Sequence, residues 1–295
     1  MEFSNYIENQ ENYFKIGKTL HISKRKKLLR NLKKEILSSE NKIFRALNDD
    51  LRKSNYETYL TEIGILISEI DLFLSNLEKW AKPKKVKSSL LSFPSSDYIY
   101  SEPYGKVLIL SPWNYPFQLA ILPLMSAVAA GNTVVLKPSE HAPHTSKLIK
   151  EIIEKVFNKS HVLVIEGAAD TASKLLEYRW DYIFFTGSVK IGKIVAAAAA
   201  KHLTPTTLEL GGKNPNIIFE DCDYDDMLET TVRSSFANQG QICLCGSRIF
   251  VEVSIYEKFK TDFVAKVKQL KVGHPSEENT NMGALVSKPH LEKVM

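Results

Sequence analysis

The chain has 295 residues, 44% of them apolar, enough for one large or two ordinary domains with proper cores. Its 39 basic and 34 acidic residues leave a formal charge of +5 spread along the chain, which argues against a dedicated nucleic-acid binder. Three cysteines, Cys222, Cys243 and Cys245, are too few and too clustered for a disulfide scaffold. The Cys-x-Cys pair has no histidine at zinc-finger spacing, so no metal site is expected and a reducing compartment fits best.

The opening MEFSNYIENQ lacks both the charged and apolar blocks of a secretion signal and an Arg-rich amphipathic pattern, so a cytoplasmic location is expected. Basic residues crowd from Lys15 to Lys34 and again from Lys82 to Lys87. Leu29, Leu32 and Ile36 are interleaved with the first run at helical spacing, which favours a solvated helix face over a polyanion patch or a nuclear-localisation run. Helical spacing continues through Phe44, Leu47 and Leu51, then Ile63, Leu66, Ile70, Leu74 and Leu77, so residues from about 20 to 80 read as a helical preface.

After AKPKKVKSS the pattern changes to short apolar runs at 107–110, 133–136, 162–165 and 182–185, alternating with longer helical stretches. This predicts βαβ units in a parallel sheet covered on both faces, an α/β fold. The most hydrophobic stretch, Phe117 to Ala130, is too short to span a bilayer and reads as a buried helix, so no membrane segment is expected. The alanine run at 196–200 suits a tightly packed helix. Residues 204–219 read as strand interrupted by Gly211 and Gly212, Tyr224 to Ala237 as helix, GSRIFVEV as strand and Tyr256 to Leu270 as helix.

In a doubly wound sheet, ligands bind beyond the carboxyl ends of the strands. Four such places stand out: Ser111 to Pro116, Lys137 to Glu140, Thr186 to Ser188 with Gly192 beyond, and Leu208 to Pro215. Gly187 and Gly192 sit where a strand turns into a helix and free N–H groups can meet a phosphate. Their spacing is not G-x-G-x-x-G, and such turns also occur with no ligand. Lys137 could pair with phosphate or bond ribose hydroxyls and Glu140 could accept from a ribose, or both could be plain surface-loop residues.

Cys243, in Asn238-Gln-Gly-Gln-Ile-Cys243, could be a nucleophile if charge or oriented N–H groups favour its thiolate, or simply a small buried hydrophobe. Cys245 suits packing, and Cys222 in the acidic FEDCDYDD turn is a poor nucleophile.

Taken in order, SPWNYP, LKPSE, FFTGS with Gly192, LELGGKNP and NQGQIC resemble the aldehyde dehydrogenase superfamily across essentially the whole chain. Residues 1 to about 210 resemble the class-3 branch that acts on fatty and aromatic aldehydes. Residues from about 216 onward are more similar to the aminomuconate- and hydroxymuconate-semialdehyde branch.

The resemblance implies a Rossmann-like NAD(P)-binding domain over 1–210, with N-terminal helices and an oligomerisation strand pair near 85–104, then the first part of a catalytic thiol domain over 211–295. It implies oxidation of an aldehyde to a carboxylic acid with NAD or NADP, through a thiohemiacetal and a thioester on Cys243. Asn114 matches the side-chain donor of the oxyanion hole, and Glu209 the base that activates water; the plainer alternative for Glu209 is a structural carboxylate bonding the glycine backbone.

Lys137 and Glu140 resemble the adenosine-ribose contacts, Gly187, Ser188 and Gly192 the pyrophosphate turn, and Trp113 is expected beside them near the cofactor. A Glu140 aimed at the ribose would disfavour a 2′-phosphate. Family members continue past this length to an E-x-F-G-P motif, so the chain is expected to be incomplete and its full-length form a homo-oligomer, a dimer. The rival expectations are a non-catalytic remnant that binds nucleotide or a partner subunit, and a cofactor-independent thiol esterase.

Overall fold

A computed structural model of the protein describes residues 3–274, 277 and 279–295. The N-terminal region is helical, as its apolar spacing requires. Helix α1 (Ser4–Lys15) is followed by α2 (Ile22–Ser38), α3 (Glu40–Leu51) and α4 (Asn55–Thr58), which runs through a π turn at Tyr59–Ile63 into α5 (Gly64–Trp80). Leu29, Leu32 and Ile36 of α2 are fully buried while Lys24, Lys27, Arg30 and Lys34 face outward, so the first basic run is the wet face of an amphipathic helix. Helix α1 begins before the stretch expected to be helical. It buries only Ile7 and Gln10, too sparse a stripe to show as periodicity.

The basic linker leads into an exposed antiparallel ribbon of β1 (Lys84–Val86) and β2 (Asp97–Ile99), with Lys85 opposite Tyr98. The strand pair expected near 85–104 is therefore present, ending at Ile99. Next comes the parallel sheet: β3 (Lys106–Leu110), α6 (Gln118–Ala130), β4 (Thr133–Lys137), α7 (Pro143–Val156), β5 (Val162–Val164), α8 (Ala169–Leu176), β6 (Tyr182–Gly187), α9 (Val189–Ala200) and β7 (Thr206–Leu210).

The five strands lie in the order β5-β4-β3-β6-β7, all parallel. Successive side chains alternate between two cores, as strand geometry dictates. Val107, Ile109, Val134 and Leu136 pack with α2, α3, α5, α6 and α7, while Leu108, Leu110, Val135 and Phe185 pack with Ile7, Leu175, Trp180 and Val195 on the other face. Helix α6 buries Ala120, Ile121, Leu124, Met125 and Val128, but Leu119, Leu122 and Pro123 stay half-buried and line a cavity. The alanine run in α9 is less enclosed than its composition suggests: Ala199 is buried, while Ala197 and Ala200 face solvent.

Residues 204–219 form two strands belonging to different sheets. After β7, the Gly211–Gly212 turn carries the chain away to β8 (Asn214–Ile218), which pairs in parallel with β9 (Gly246–Val251) across helix α10 (Tyr224–Phe236). Helix α11 (Tyr256–Val267) packs on α10 through Phe259, Phe263 and Phe236, and α12 (Lys288–Val294) follows. Among the described residues no helix is long and apolar enough to cross a membrane.

Two buried polar groups join the preface to the sheet. Arg25 donates to the carbonyls of Thr19, Leu20 and Ala129 at 2.8, 2.7 and 3.1 Å, the last near the carboxyl end of α6, where the helix dipole favours a cation. Gly131 ends that helix at φ 99°, and a Cβ there would stand 2.8 Å from Arg25 Nη2. Gly131→Ala should therefore cost about 1–3 kcal/mol from backbone strain, with displacement of Arg25 adding to it; an unchanged thermal midpoint would contradict this account of α6.

His161, stacked on Tyr13 and 3.2 Å from the Asn132 carbonyl oxygen, is pushed by burial from 6.5 down to about 4. The unfolded chain then binds the extra proton between those values. Stability should fall as pH drops from about 6.5 to about 4, by at most about 1.4 kcal/mol per pH unit. Melts across that range should show a weaker acid dependence in His161→Gln; an equal dependence would place the sensitivity elsewhere.

Candidate active site

Strand order reverses between β3 and β6, which opens a crevice at their carboxyl ends. Beyond β3 the chain enters Ser111 to Pro116, anchored where the Ser111 N–H donates to the Lys137 carbonyl at 3.1 Å. The Asn114 side-chain nitrogen donates to the Gln241 carbonyl at 2.9 Å. The Asn114 carbonyl in turn accepts from Asn238 Nδ2 at 3.1 Å and from Lys53 Nζ at 3.0 Å. Two loops distant in sequence are thereby tied together.

The turn bearing Cys243 has an unusual backbone. Asn238, Gln239 and Gly240 all adopt positive φ, at 49°, 59° and 73°, a conformation that costs non-glycine residues energy and persists only where neighbours enforce it. The enforcing contacts are the Asn238–Asn114 bond and the Gln241 N–H, which donates to the Asn238 carbonyl at 3.0 Å. Just beyond the turn, Cys243 is exposed, and its carbonyl accepts from Asn214 Nδ2 at 2.6 Å. Cys245 is buried, as a packing residue would be, and burial pushes its thiol pKa up; Cys222 is half-buried.

A cavity of about 900 Å³ fills the crevice. Trp113, Asn114, Gly187, Ser188, Glu209 and Cys243 all line it, and Leu119, Leu122, Pro123, Phe184 and Ile242 give it apolar walls. Glu209 is on β7 opposite Thr186 of β6, and is exposed. Ser188 caps α9, its hydroxyl accepting from the Ile191 N–H at 3.3 Å, so the helix begins where Ser188 meets the cavity wall.

Lys137, Glu140 and Gly192 do not line this cavity. Lys137 is buried at the end of β4 and pairs with Glu140 at 2.6 Å, so it is no surface-loop lysine. Burial opposes the charge on Glu140, but the Lys137 ammonium outweighs it and holds the carboxyl below its ordinary value. Gly192 has a packing reason to be glycine: a Cβ there would stand 2.7 Å from Leu210 Cδ2, and one at Gly187 would stand 2.6 Å from Phe185 Cζ.

Two cavity residues come from α12, which no motif pointed to. His290 meets the Trp113 ring edge-on at 4.9 Å, and Lys293, one turn later, lines the same space. Burial, with Lys293 and His141 adding to it, lowers the His290 pKa.

The contrast between the two neighbouring thiols can be measured. Iodoacetamide should modify Cys243 at least about tenfold faster than Cys245, since Cys243 is exposed while burial both shields the Cys245 thiol and pushes its pKa up. Peptide mass mapping that finds equal rates would show that the turn does not present Cys243 as described.

The family model described as aldehyde dehydrogenase family matches residues 2–295. The chain is 39% identical over 282 residues to 4,4'-diaponeurosporen-aldehyde dehydrogenase of Staphylococcus aureus, covering 96% of this chain and 61% of that protein. It is 37% identical over 292 residues to aldehyde dehydrogenase family 3 member B3 of Mus musculus, covering 99% of this chain and 61% of the relative, so one family 3 protein aligns through the stretches on both sides of 210–216. The structure of betaine aldehyde dehydrogenase from Staphylococcus aureus in complex with NAD+ superposes with a TM-score of 0.88 at 30% identity, over 98% of this chain and 58% of that one. The chain thus spans about 61% of the length of these curated relatives. The family model over residues 2–295 and these relatives show that the chain belongs to the aldehyde dehydrogenase family.

Proposed function

We propose that the protein oxidises an aldehyde to a carboxylic acid with NAD(P), through a covalent intermediate on Cys243. The observation that carries this reading is the convergence of Cys243, Asn114 and Glu209 on one cavity at the strand-order reversal. In this reading the Cys243 thiolate attacks the carbonyl carbon, and the oxygen becomes an alkoxide that needs fixed donors. An amide nitrogen carries two N–H bonds. Asn114 spends one on the Gln241 carbonyl and keeps one for the alkoxide, beside the Cys243 backbone N–H.

Bound NAD(P) supplies the acceptor for the hydride that leaves the carbonyl carbon. Glu209 then takes a proton from water as the water adds to the thioester, and the carboxylate departs from the regenerated Cys243 thiolate.

The chain's residues fit such a cofactor. The capped N-terminus of α9 at Ser188 presents free N–H groups suited to a pyrophosphate, with Gly187 and Gly192 letting that helix pack tightly on the sheet. Lys293 adds positive charge to the cavity, and His290 and Trp113 give it flat walls. The Lys137–Glu140 pair reads the adenosine ribose, where the charge on Glu140 favours a 2′-hydroxyl over a 2′-phosphate, hence NAD over NADP. The apolar walls suit an aldehyde with a hydrocarbon body. Residues 1–210 form the cofactor domain and 211–295 the beginning of the thiol domain, with the exposed β1–β2 ribbon as a surface for pairing subunits in a cytoplasmic homo-oligomer.

Reduced-cofactor absorbance with hexanal or benzaldehyde tests the reading. Cys243→Ser should abolish turnover, while Cys245→Ser and Cys222→Ser cost stability alone. Ester cleavage without NAD(P) and no aldehyde oxidation would assign a thiol esterase instead, and nucleotide binding with neither reaction a non-catalytic role.

Glu209→Gln should preserve a pre-steady-state burst of reduced cofactor while steady turnover falls by about a hundredfold, the scale of a general base. Equal loss of burst and steady rates would make Glu209 structural, or the base for the thiol.

A further inference from the structure

Lys53 and Glu62 lie outside the cavity, in the helical preface, and are 1% and 0% exposed. Lys53 Nζ donates to Glu62 Oε1 at 2.7 Å and to the Asn114 carbonyl at 3.0 Å, and stands 3.9 Å from the centre of the Tyr115 ring. The second carboxylate oxygen of Glu62 accepts the N–H groups of Phe117 and Gln118 at 3.1 and 2.8 Å. Beyond the bond between the two charges, every one of these contacts falls on residues 114–118. Glu62 is itself carried by the π turn at Tyr59–Ile63, an irregularity often found near functional sites.

Replacing a buried ion pair by apolar side chains is often neutral or stabilising, so stability alone is a weak reason for this one. What the pair supplies is a fixed position for the backbone at Asn114. Its carbonyl is held from one side by Lys53 and from the other by Asn238 of the Cys243 turn, at 3.1 Å. With that carbonyl fixed and the side-chain amide tied to Gln241, the free N–H of Asn114 has one direction left.

We propose that the Lys53–Glu62 pair is the positioning device of the oxyanion hole, setting Asn114 relative to Cys243 without touching substrate or cofactor. This rests on the reading of Asn114 as an oxyanion donor.

The test uses the 295-residue chain and two reactions of Cys243. With p-nitrophenyl acetate the thiolate attacks the ester carbonyl, the C–S bond forms, and the tetrahedral oxyanion collapses as p-nitrophenolate leaves with its electron pair. With iodoacetamide the thiolate displaces iodide and no oxyanion forms. The ratio of acylation to alkylation at Cys243, followed by mass spectrometry, therefore reports the hole rather than access to the thiol.

Asn114→Ala should lower the acylation rate by about a hundredfold at unchanged alkylation, as loss of one oxyanion donor does. The double variant Lys53→Met with Glu62→Gln leaves no unpaired buried charge and keeps an acceptor for the Phe117 and Gln118 N–H groups. It should melt as a folded protein and lose about ten- to hundredfold in acylation at unchanged alkylation, the scale of a misplacement near 1 Å. An unchanged ratio in the double variant, or acylation and alkylation falling together, would overturn the positioning role while Asn114→Ala still shows its defect. No effect of Asn114→Ala would overturn the oxyanion reading itself, and the positioning role with it.

Discussion

A parallel sheet with both faces covered by helices leaves its chemistry one place to go, the ends of the strands. Alternate residues of β3, such as Val107 and Leu108, are committed to two different cores, so neither face can spare a reactive group. At the carboxyl ends the constraint lifts. It lifts most between β3 and β6, because the chain moves outward to β4 and β5 on one side before it returns on the other. The loops leaving β3 and β6 diverge there and cannot fill the gap between them. The cavity bounded by Trp113, Asn114, Gly187 and Ser188 follows from that topology, and would exist whatever residues happened to line it.

Closing such a crevice with catalytic groups demands polar atoms in buried or half-buried places, and the charged ones behind it bond largely to the backbone. Arg25 has carbonyls as its partners rather than a carboxylate, at the end of a helix whose dipole suits it. Lys53 and Glu62 neutralise one another and spend their remaining bonding capacity on backbone groups near Asn114. His161 meets burial differently, by giving up its charge. A charged pair can hold a loop more tightly than a neutral one because its hydrogen bonds are stronger, so the charges sit where a loop must be held.

Much of the architecture could be read from spacing. The strands begin and end within about two residues of the apolar runs that announced them, as expected where a short run is buried on both faces. What spacing could not carry is pairing. Residues 204–219 look like one interrupted strand, yet β7 joins β6 and β8 joins β9, because the partner of a strand is chosen by the whole chain.

The same limit hid His290 and Lys293, whose place beside Trp113 depends on how α12 docks. Lys53 and Glu62 were within reach. Glu62 falls on the buried stripe of Leu66 and Ile70 extended back by one turn, and a carboxylate on an apolar stripe asks for a partner. The motif residues were visible as types, but nothing in their order along the chain showed that Asn114 would bond to Gln241.

That bond bears on the left-handed run at Asn238, Gln239 and Gly240. Two non-glycine residues in this region cost about 1–3 kcal/mol each, and a free turn would relax. Here relaxation would break the Asn238–Asn114 bond and move the Gln241 carbonyl away from the Asn114 amide. Asn114 is in turn held by Lys53, which is held by Glu62, and the N-terminus of α6 donates to the other carboxylate oxygen of Glu62. The strain beside Cys243 is thus opposed by contacts that trace back to a helix on the far side of the Asn114 loop. Stiffness at the nucleophile turn is a property of this whole chain of contacts, and loosening any link would let Cys243 and Asn114 drift apart.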